Sequence, residues 1–235
     1  MEVKNLTFSF DEAPLFQNLS VKIQNNQFNV FLGPSGCGKS TLLRIFAGLQ
    51  KVKPDFFYYE LKKASFVFQD ANLLEWKTGY QNIMLPFLLS KVPEDLEKLK
   101  QIVDLLQISD CLSKYPSELS GGQKMRVSIA RALITEPEVL FMDEPFSALD
   151  EPTRLNLQDE IRNIQKKLQM TILFVTHSFY EAAYLGDQIL IFSKEKPSAI
   201  IYDEKNERQF TGRFESNYLR KVQQISDYFI SENKA

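Results

Sequence analysis

The chain has 235 residues, 44% of them apolar and 25% charged, and these ordinary globular values allow a packed core. The net charge of −2 gives no reason to expect a nucleic-acid backbone as partner, because such binding needs clustered Lys and Arg. Two cysteines are too few for a secreted disulfide scaffold, so a reducing cytosol is expected. The N-terminus has no signal-peptide pattern, and no apolar run reaches the roughly 18 residues of a membrane span.

The first part of the chain is predicted to be mainly β-structure. VKNLTFSF alternates apolar and polar residues, SVKI follows as a second strand, and FNVFLG is the continuous apolar run expected of a buried parallel strand. The helical sequence KSTLLRIFAGL comes directly after it. Residues 51–63 lack a clear period and are predicted to be irregular or β, and ASFVFQ is the next short strand.

Helical patterns dominate residues 78–114, where apolar residues recur at helical spacing. The predicted apolar face there consists of Leu96, Leu99, Val103 and Leu106. The next elements are strand PEVLFMDE, helix PTRLNLQDEIRNIQKKLQ, strand TILFVTH, helix SFYEAAYLG, and strands QILIFS and SAIIYD. A last helix has a predicted packing stripe of Leu219, Val222, Ile225 and Phe229.

Strands alternating with helices predict an α/β fold, with a mostly parallel sheet covered by helices. Residues 70–135 are richer in helix and are predicted to form a helical lobe.

The stretch GPSGCGKST, residues 33–41, matches the phosphate-binding pattern G-x-x-x-x-G-K-[ST] between a buried strand and a helix. Glycines let successive amides face phosphate oxygens, and the helix N-terminus favours anions. Lys39 would hold the β- and γ-phosphates, and the Ser40 hydroxyl would reach Mg²⁺. The candidate phosphate-binding residues are Gly33, Pro34, Ser35, Gly36, Cys37, Gly38, Lys39, Ser40 and Thr41.

The alternative is a chance glycine-rich turn, which the flanking strand and helix disfavour. Cys37 is interpreted as a tolerated small residue rather than a redox group. Kinases, GTPases and motor ATPases share such a loop, so the loop predicts nucleotide binding but not which of these classes of protein the chain belongs to.

Two further strands end in chemically useful side chains. Asp143 follows the apolar run of PEVLFMDE, where a carboxylate orders Mg²⁺ in nucleotide hydrolases, and Glu144 could polarise an attacking water. His177, the only histidine, follows TILFVT, and strand ends of this kind face the ligand crevice in open α/β sheets. A solvated acid pair and a surface histidine are the alternatives.

The stretch SELSGGQKMRVSIARAL, residues 117–133, resembles the signature motif of ABC transporter ATPases. The order of motifs is also similar to that family over nearly the whole chain: the phosphate loop, FVFQD, LSGGQ, FMDEP, SALD and TH. The resemblance implies a single ABC-type ATPase domain over residues 1–235. Its P-loop NTPase core would have a mostly parallel sheet, a small antiparallel β lobe and a helical lobe carrying LSGGQ, without a separate regulatory domain.

The resemblance also implies roles that the spacing alone does not show. Two chains would pair head to tail around two ATP molecules with Mg²⁺. Each ATP would touch the phosphate loop of one chain and the signature residues of the other, which are Ser120, Gly121, Gly122 and Gln123. Gln69 would sense Mg²⁺ and water, Asp150 would lie across the interface, and Phe10 would stack on adenine, with core packing as the alternative for Phe10.

DEPFSALD, ANLLEW and THSFYEA resemble importer ATPases of the nitrate, sulfonate and taurine type. This implies membrane permease subunits as partners, an indirect link to a substrate-binding protein, and a place on the cytoplasmic face of the plasma membrane. Glu75 replaces a usual proline, and the region between Gly48 and Gln69 is short for the family. An exporter or a soluble complex as client, or a nucleotide-gated module with little turnover, are the alternatives, and the cargo is not readable.

Overall fold

The computed structural model describes residues 1–10, 13–52, 56, 63–206, 210 and 212–232. The chain divides into two compact units, one of Met1–Leu61 with Thr171–Ala235 and the other of Lys62–Met170. The segment 51–63, predicted to be irregular or β, falls mostly outside the described residues.

The described chain contains eight strands and eight α-helices. The strands are β1 (Glu2–Ser9), β2 (Pro14–Lys22), β3 (Phe28–Leu32), β4 (Ala64–Val67), β5 (Val139–Asp143), β6 (Thr171–Thr176), β7 (Gln188–Phe192) and β8 (Ile200–Lys205). The helices are α1 (Lys39–Phe46), α2 (Gly79–Ile83), α3 (Leu85–Ser90), α4 (Leu96–Leu106), α5 (Gly121–Leu133), α6 (Glu151–Leu168), α7 (Phe179–Leu185) and α8 (Ser216–Glu232).

In the first unit, β1 and β2 form a small antiparallel sheet. The second strand is longer than the predicted SVKI and begins at Pro14. Asn5 and Asn18 adopt left-handed backbone conformations, with φ of 52° and 54°, and the register shifts near them. The left-handed Asn18 interrupts the alternation of apolar and polar residues inside β2, so the sequence pattern shows only the end of that strand.

The main sheet of this unit has β3 between β6 and β7, both parallel to it, and β8 runs antiparallel to β7. Every residue of β3, β6 and β7 is buried, as continuous apolar runs predict for parallel strands. Aromatic rings fill the core beside β3. The ring centroids of Phe31 and Phe192 are 5.6 Å apart, and those of Phe28 and Phe174 are also 5.6 Å apart.

The last helix packs on α7 in the same unit. The Tyr218 hydroxyl donates to the Tyr180 carbonyl at 3.2 Å, and the rings of Phe179 and Phe229 are 5.2 Å apart. The predicted stripe is wrong at Leu219, which is 52% exposed. Tyr218 is buried instead, because its ring contacts Tyr184 and Phe210.

In the second unit, β4 pairs in parallel with β5, and α5 contacts β4, α2, α4 and α6. The predicted apolar face of α4 is correct at Leu99, Val103 and Leu106, which are buried. It is wrong at Leu96, which is 61% exposed at the first turn, while Ile102 is buried. A terminal residue has only part of a helix turn around it, so spacing alone does not settle its burial.

Candidate functional site

The loop between β3 and α1 has the geometry of an anion cradle. Gly36 and Gly38 have φ of 79° and 100°, a backbone region that residues with a Cβ rarely adopt. A Cβ on Gly38 would lie 2.6 Å from the Phe16 ring. Among the described residues no side chain caps α1, and a helix N-terminus favours an anion.

Lys39 lies inside this loop and is only 4% exposed. Its Nζ donates to the carbonyl oxygens of Gly33 and Pro34, both at 2.8 Å. These acceptors are neutral, so they hold the ammonium group in place without cancelling its charge. The loop therefore contains a positive charge whose electrostatic complement would be an anion.

Cys37 also lies within the loop and is buried. Burial raises the pKa of its thiol, with a smaller opposing effect of the nearby Lys39. Its Sγ is 4.0 Å from the Lys39 Nζ. Because the thiol stays protonated near neutral pH, this environment favours the interpretation of Cys37 as a small packing residue.

His177 lies beside the phosphate loop in the order of the sheet. Leu32 and Thr176 are paired at the ends of the parallel strands β3 and β6, so the loop and His177 leave the sheet at the same edge. The Thr176 hydroxyl donates to the buried Glu181 carboxylate at 2.5 Å, and the Ser178 amide donates to the Thr176 hydroxyl at 3.0 Å. These bonds hold the turn that carries the exposed His177.

The second unit brings Gln69, Asp143 and Glu144 to one edge in the same way. Val67 of β4 pairs with Met142 of β5, and the three polar residues follow these positions. Asp143 is 5% exposed, whereas Gln69 is exposed and Glu144 is half-buried.

Glu144 adopts a left-handed backbone conformation with φ of 46°. The Ser147 amide and hydroxyl both donate to the Glu144 carbonyl, at 3.2 Å and 3.0 Å, and close the turn that holds it there. Such a conformation costs about 1–3 kcal/mol for a residue with a Cβ, and strained residues cluster at functional sites. The turn therefore holds the backbone of Glu144 in a conformation that departs from the extended backbone of β5.

The signature stretch begins α5 with a capping box. Ser120 Oγ accepts from the Gln123 amide at 3.3 Å, and Gln123 Oε1 accepts from the Ser120 amide at 2.9 Å. A Cβ on Gly122 would lie 2.6 Å from Thr153 Cγ2 of α6. At Gly121 no described heavy atom would lie within 4 Å of such a Cβ, so its surface is open to another molecule.

Asp150 caps the N-terminus of α6 by accepting from the Thr153 amide at 3.2 Å. Hydrogen bonding to Thr153 lowers the pKa of this exposed carboxyl, which stays charged near neutral pH. Phe10 follows β1 and is 66% exposed, with its ring 4.9 Å from Phe8 in an edge-on arrangement.

Sequence reasoning missed two charged residues next to these sites. Glu181 bonds Thr176 beside His177, and Arg131 of α5 donates to backbone carbonyls just after Gln69. The signal that could have found Arg131 is a charged residue flanked by apolar ones in the stretch SIARAL.

Within the described residues no group of three or more His, Cys, Asp or Glu side chains could enclose a metal ion. This is the expected arrangement for Mg²⁺ that arrives with a nucleotide, because Mg²⁺ keeps several waters and binds phosphates with only one or two protein oxygens. The Ser40 hydroxyl and the Asp143 carboxylate are hard oxygen donors of the right kind.

A strand-flanked phosphate loop with a buried lysine, together with acids at the end of a parallel strand, defines a P-loop nucleotide hydrolase. The ABC transporter family model matches residues 16–147 of this chain. The chain therefore belongs to the ABC transporter family and is one of its ATP-hydrolysing subunits.

Relatives named as import subunits resemble the chain over most of its length. The aliphatic sulfonates import ATP-binding protein of Bacillus licheniformis is 40% identical over 196 residues, covering 80% of this chain and 76% of that protein. The spermidine/putrescine import ATP-binding protein of Clostridioides difficile is 34% identical over 251 aligned residues, covering 98% of this chain and 72% of that protein.

Two solved structures have the same fold. The dimeric structure of an ATP-binding cassette in a post-hydrolysis state, bound to ADP and Pi, matches with a TM-score of 0.73 and 27% identity, covering 89% of this chain and 99% of that one. The cbiO1 protein of Clostridium perfringens, part of an ABC transporter complex, matches with a TM-score of 0.77 and 25% identity, covering 98% of each chain. The predicted fold class is confirmed.

Proposed function

We propose that this chain hydrolyses ATP to power import through a membrane permease, on whose cytoplasmic side it docks. The observation that carries the proposal is the end of β5, where the buried Asp143 is followed by Glu144 in a strained turn. The importer relatives, at 34% and 40% identity, support the direction of transport. Within the described residues no helix has both the length and the hydropathy to cross a bilayer.

Each polar residue has a role that its surroundings support. The Lys39 ammonium and the N-terminal amides of α1 would bind the β- and γ-phosphates, while Ser40 and Asp143 would hold Mg²⁺, which would neutralise charge on those phosphates. Glu144 takes the proton of the attacking water. Gln69 and His177 hydrogen-bond to that water and to the γ-phosphate, and Phe10 stacks on the adenine.

The signature residues serve a second copy of the chain. The amides of Gly121 and Gly122 at the start of α5 bind the γ-phosphate held by the other copy, in a head-to-tail dimer. Open space at Gly121 supports this assignment, because nothing in the described chain requires glycine there. Ser120 and Gln123 cap the N-terminus of α5, and Asp150 caps the N-terminus of α6. We assign both helix N-termini to the contact with the partner copy.

The permease contact is assigned to an exposed apolar stretch in the second unit. Five large apolar side chains that are more than half exposed lie close in sequence there: Trp76, Leu88, Leu89, Val92 and Leu96. Single exposed apolar residues are ordinary, whereas a concentration of this kind marks a protein contact. We call this set the docking face.

An exporter or a soluble complex is the competing client. Purification of the tagged chain from detergent-solubilised membranes separates the alternatives. Recovery with a permease and a substrate-binding protein supports import, and recovery of soluble chains only would contradict it.

The test of hydrolysis is Glu144→Gln, which keeps the size of the side chain and removes its basicity. Phosphate release should fall by about 10²–10⁴-fold, the usual contribution of a general base, while ATP binding is retained. Glu138→Gln is the matched control at the opposite end of β5 and should leave turnover unchanged. Unchanged phosphate release in Glu144→Gln would exclude Glu144 as the base.

A further inference from the structure

The segment between β4 and α2 connects two regions that the proposed function uses separately. It begins beside Gln69 and contains Trp76 of the docking face, whose side chain is 73% exposed. We call residues 70–78 the linking segment. It has no regular secondary structure, so side chains of neighbouring elements must determine its conformation.

Arg131, in the last turn of α5, binds the first half of the linking segment. Its Nη1 donates to the Asn72 carbonyl at 2.9 Å and its Nη2 donates to the Ala71 carbonyl at 2.9 Å. Nη2 also lies 3.4 Å from the Ser128 hydroxyl, one turn earlier on α5. The planar guanidinium can bridge two consecutive carbonyls in this way, whereas a lysine ammonium would act as a point donor.

Asn82 of α2 holds the second half of the segment. This side chain is fully buried, and its Oδ1 accepts from the Leu74 amide at 2.8 Å. Its Nδ2 reaches the carbonyls of Leu74, Lys77 and Thr78, at 3.2, 2.9 and 3.0 Å. The turn that carries Trp76 is therefore held as one piece.

The helix that carries Arg131 begins at the signature residues. α5 runs from Gly121 to Leu133, and Arg131 lies ten positions after Gly121, a rise of about 15 Å along the helix. A helix of this length moves as a rigid body, so a displacement at its first turn reaches its last turn. Arg131 then connects that last turn directly to the linking segment.

We propose that Arg131 is a positioning residue that transmits nucleotide engagement at the start of α5 to the linking segment, and so to Trp76. The inference rests on the proposed γ-phosphate contact of Gly121 and Gly122. It assigns to one side chain the coupling between the nucleotide state of the signature residues and the shape of the docking face.

Trp76 supplies the readout, because it is the only tryptophan in the chain. In full-length Glu144→Gln protein, ATP with Mg²⁺ should shift the Trp76 emission. Adding Arg131→Lys keeps the positive charge and removes the two-carbonyl bridge. That double variant should bind ATP and dimerise like the parent, but its Trp76 shift should be lost.

Arg126→Lys is the matched control on the same helix. Arg126 donates to the Leu106 carbonyl and pairs with Glu160, so it supports α5 without touching the linking segment. In the Glu144→Gln background this variant should keep the Trp76 shift. A merely stabilising role of Arg131 would lower its melting temperature as Arg126→Lys does and leave the shift intact.

Two results would overturn the proposal while the proposed function stands. One is a full Trp76 shift in the Arg131→Lys variant. The other is a parent that dimerises with ATP but shows neither a Trp76 shift nor a change in amide hydrogen exchange over residues 71–78, a measurement that needs no Arg131 variant to fold. Failure of the parent to bind ATP would instead refute the proposed function, and this inference with it.

Discussion

Two buried side chains are central to the chemistry proposed for this protein. Lys39 and Asp143 are 4% and 5% exposed, and burial of a charge is costly unless polar groups surround it. Lys39 donates to two carbonyls of its own loop, so the loop backbone is ordered around this side chain.

Replacing Lys39 tests this arrangement at the residue scale. In Lys39→Ala we expect ATP turnover to fall by at least about 10²-fold, because a preorganised positive charge is lost. Without nucleotide, the free energy of unfolding should also fall by about 1–3 kcal/mol, since the Gly33 and Pro34 carbonyls lose their donor. Urea unfolding and phosphate release measure the two effects.

The control for this variant is Lys22→Ala, an exposed lysine at the end of β2. It should change neither turnover nor stability beyond about 0.5 kcal/mol. A Lys39→Ala protein with normal turnover would contradict the assigned role of the lysine.

At the scale of elements, the start of α5 divides its two glycines between two tasks. Gly122 faces Thr153 of α6 and allows close helix packing, whereas Gly121 faces open space. One residue therefore serves the fold, and its neighbour is available to a partner.

Alanine at these two positions should separate folding from function. Gly122→Ala should destabilise the protein by about 1–3 kcal/mol through overpacking against Thr153 Cγ2. Gly121→Ala should fold normally, with a slight gain from the higher helix propensity of alanine. Thermal unfolding measures the first effect, and ATP-dependent dimerisation should be the property that Gly121→Ala loses.

Thr153→Ser is the partner substitution for Gly122→Ala, because serine lacks the methyl group that the new Cβ would meet. The double variant should recover most of the lost stability. If Thr153→Ser gave no recovery, contact between α5 and α6 would not be the cause of the glycine at this position.

The contact of α8 with α7 predicts that the free energy of unfolding depends on pH in the alkaline range. Burial raises the pKa of Tyr218 to about 12, above its ordinary value of 10.0, although Arg213 nearby opposes the shift. The unfolded chain then loses this proton first. The stabilising contribution is present below pH 10 and is lost as the pH rises from about 10 to 12.

Tyr218→Phe isolates this contribution from those of the neighbouring tyrosines. We expect the variant to be less stable at neutral pH, because the bond to the Tyr180 carbonyl is lost. The difference in the free energy of unfolding between the parent and the variant should become smaller as the pH rises from about 10 to 12. Urea midpoints at several pH values give the result, and a constant difference would contradict the assignment.

On the scale of the whole molecule, the proposed function requires two copies of the chain. No described heavy atom would lie within 4 Å of a Cβ on Gly121, so this part of the signature stretch is open to a second copy. One of the solved cassettes with the same fold is dimeric. ATP between two copies would stabilise the dimer by mass action.

Size-exclusion chromatography of Glu144→Gln protein tests the dimer directly. The elution should shift from monomer to dimer on adding ATP with Mg²⁺, because binding persists while hydrolysis is blocked. ADP should produce no shift, since the γ-phosphate contact is missing. A monomer at high protein and saturating ATP would contradict dimer formation by the chain alone.

Much of this arrangement could be predicted from local patterns. Continuous apolar runs predicted β3, β5 and β6, and the polar residues that follow them predicted where the site residues lie. Patterns failed to predict burial where it depends on neighbouring elements. Leu96 and Leu219 fit a helical stripe of apolar residues but are exposed. Most of β2 was not predicted, because the left-handed Asn18 inside this strand breaks its two-residue period.

The sequence by itself determined the family and the residue types for nucleotide chemistry, because those depend on motifs whose spacing is local. Only the tertiary structure decided which strand ends share an edge, that Glu144 is held in a strained turn, and that Lys39 is bonded within its own loop. It also decided the link from Arg131 to Ala71 and Asn72. Contacts between residues about 60 positions apart arise from packing, and no local period records them.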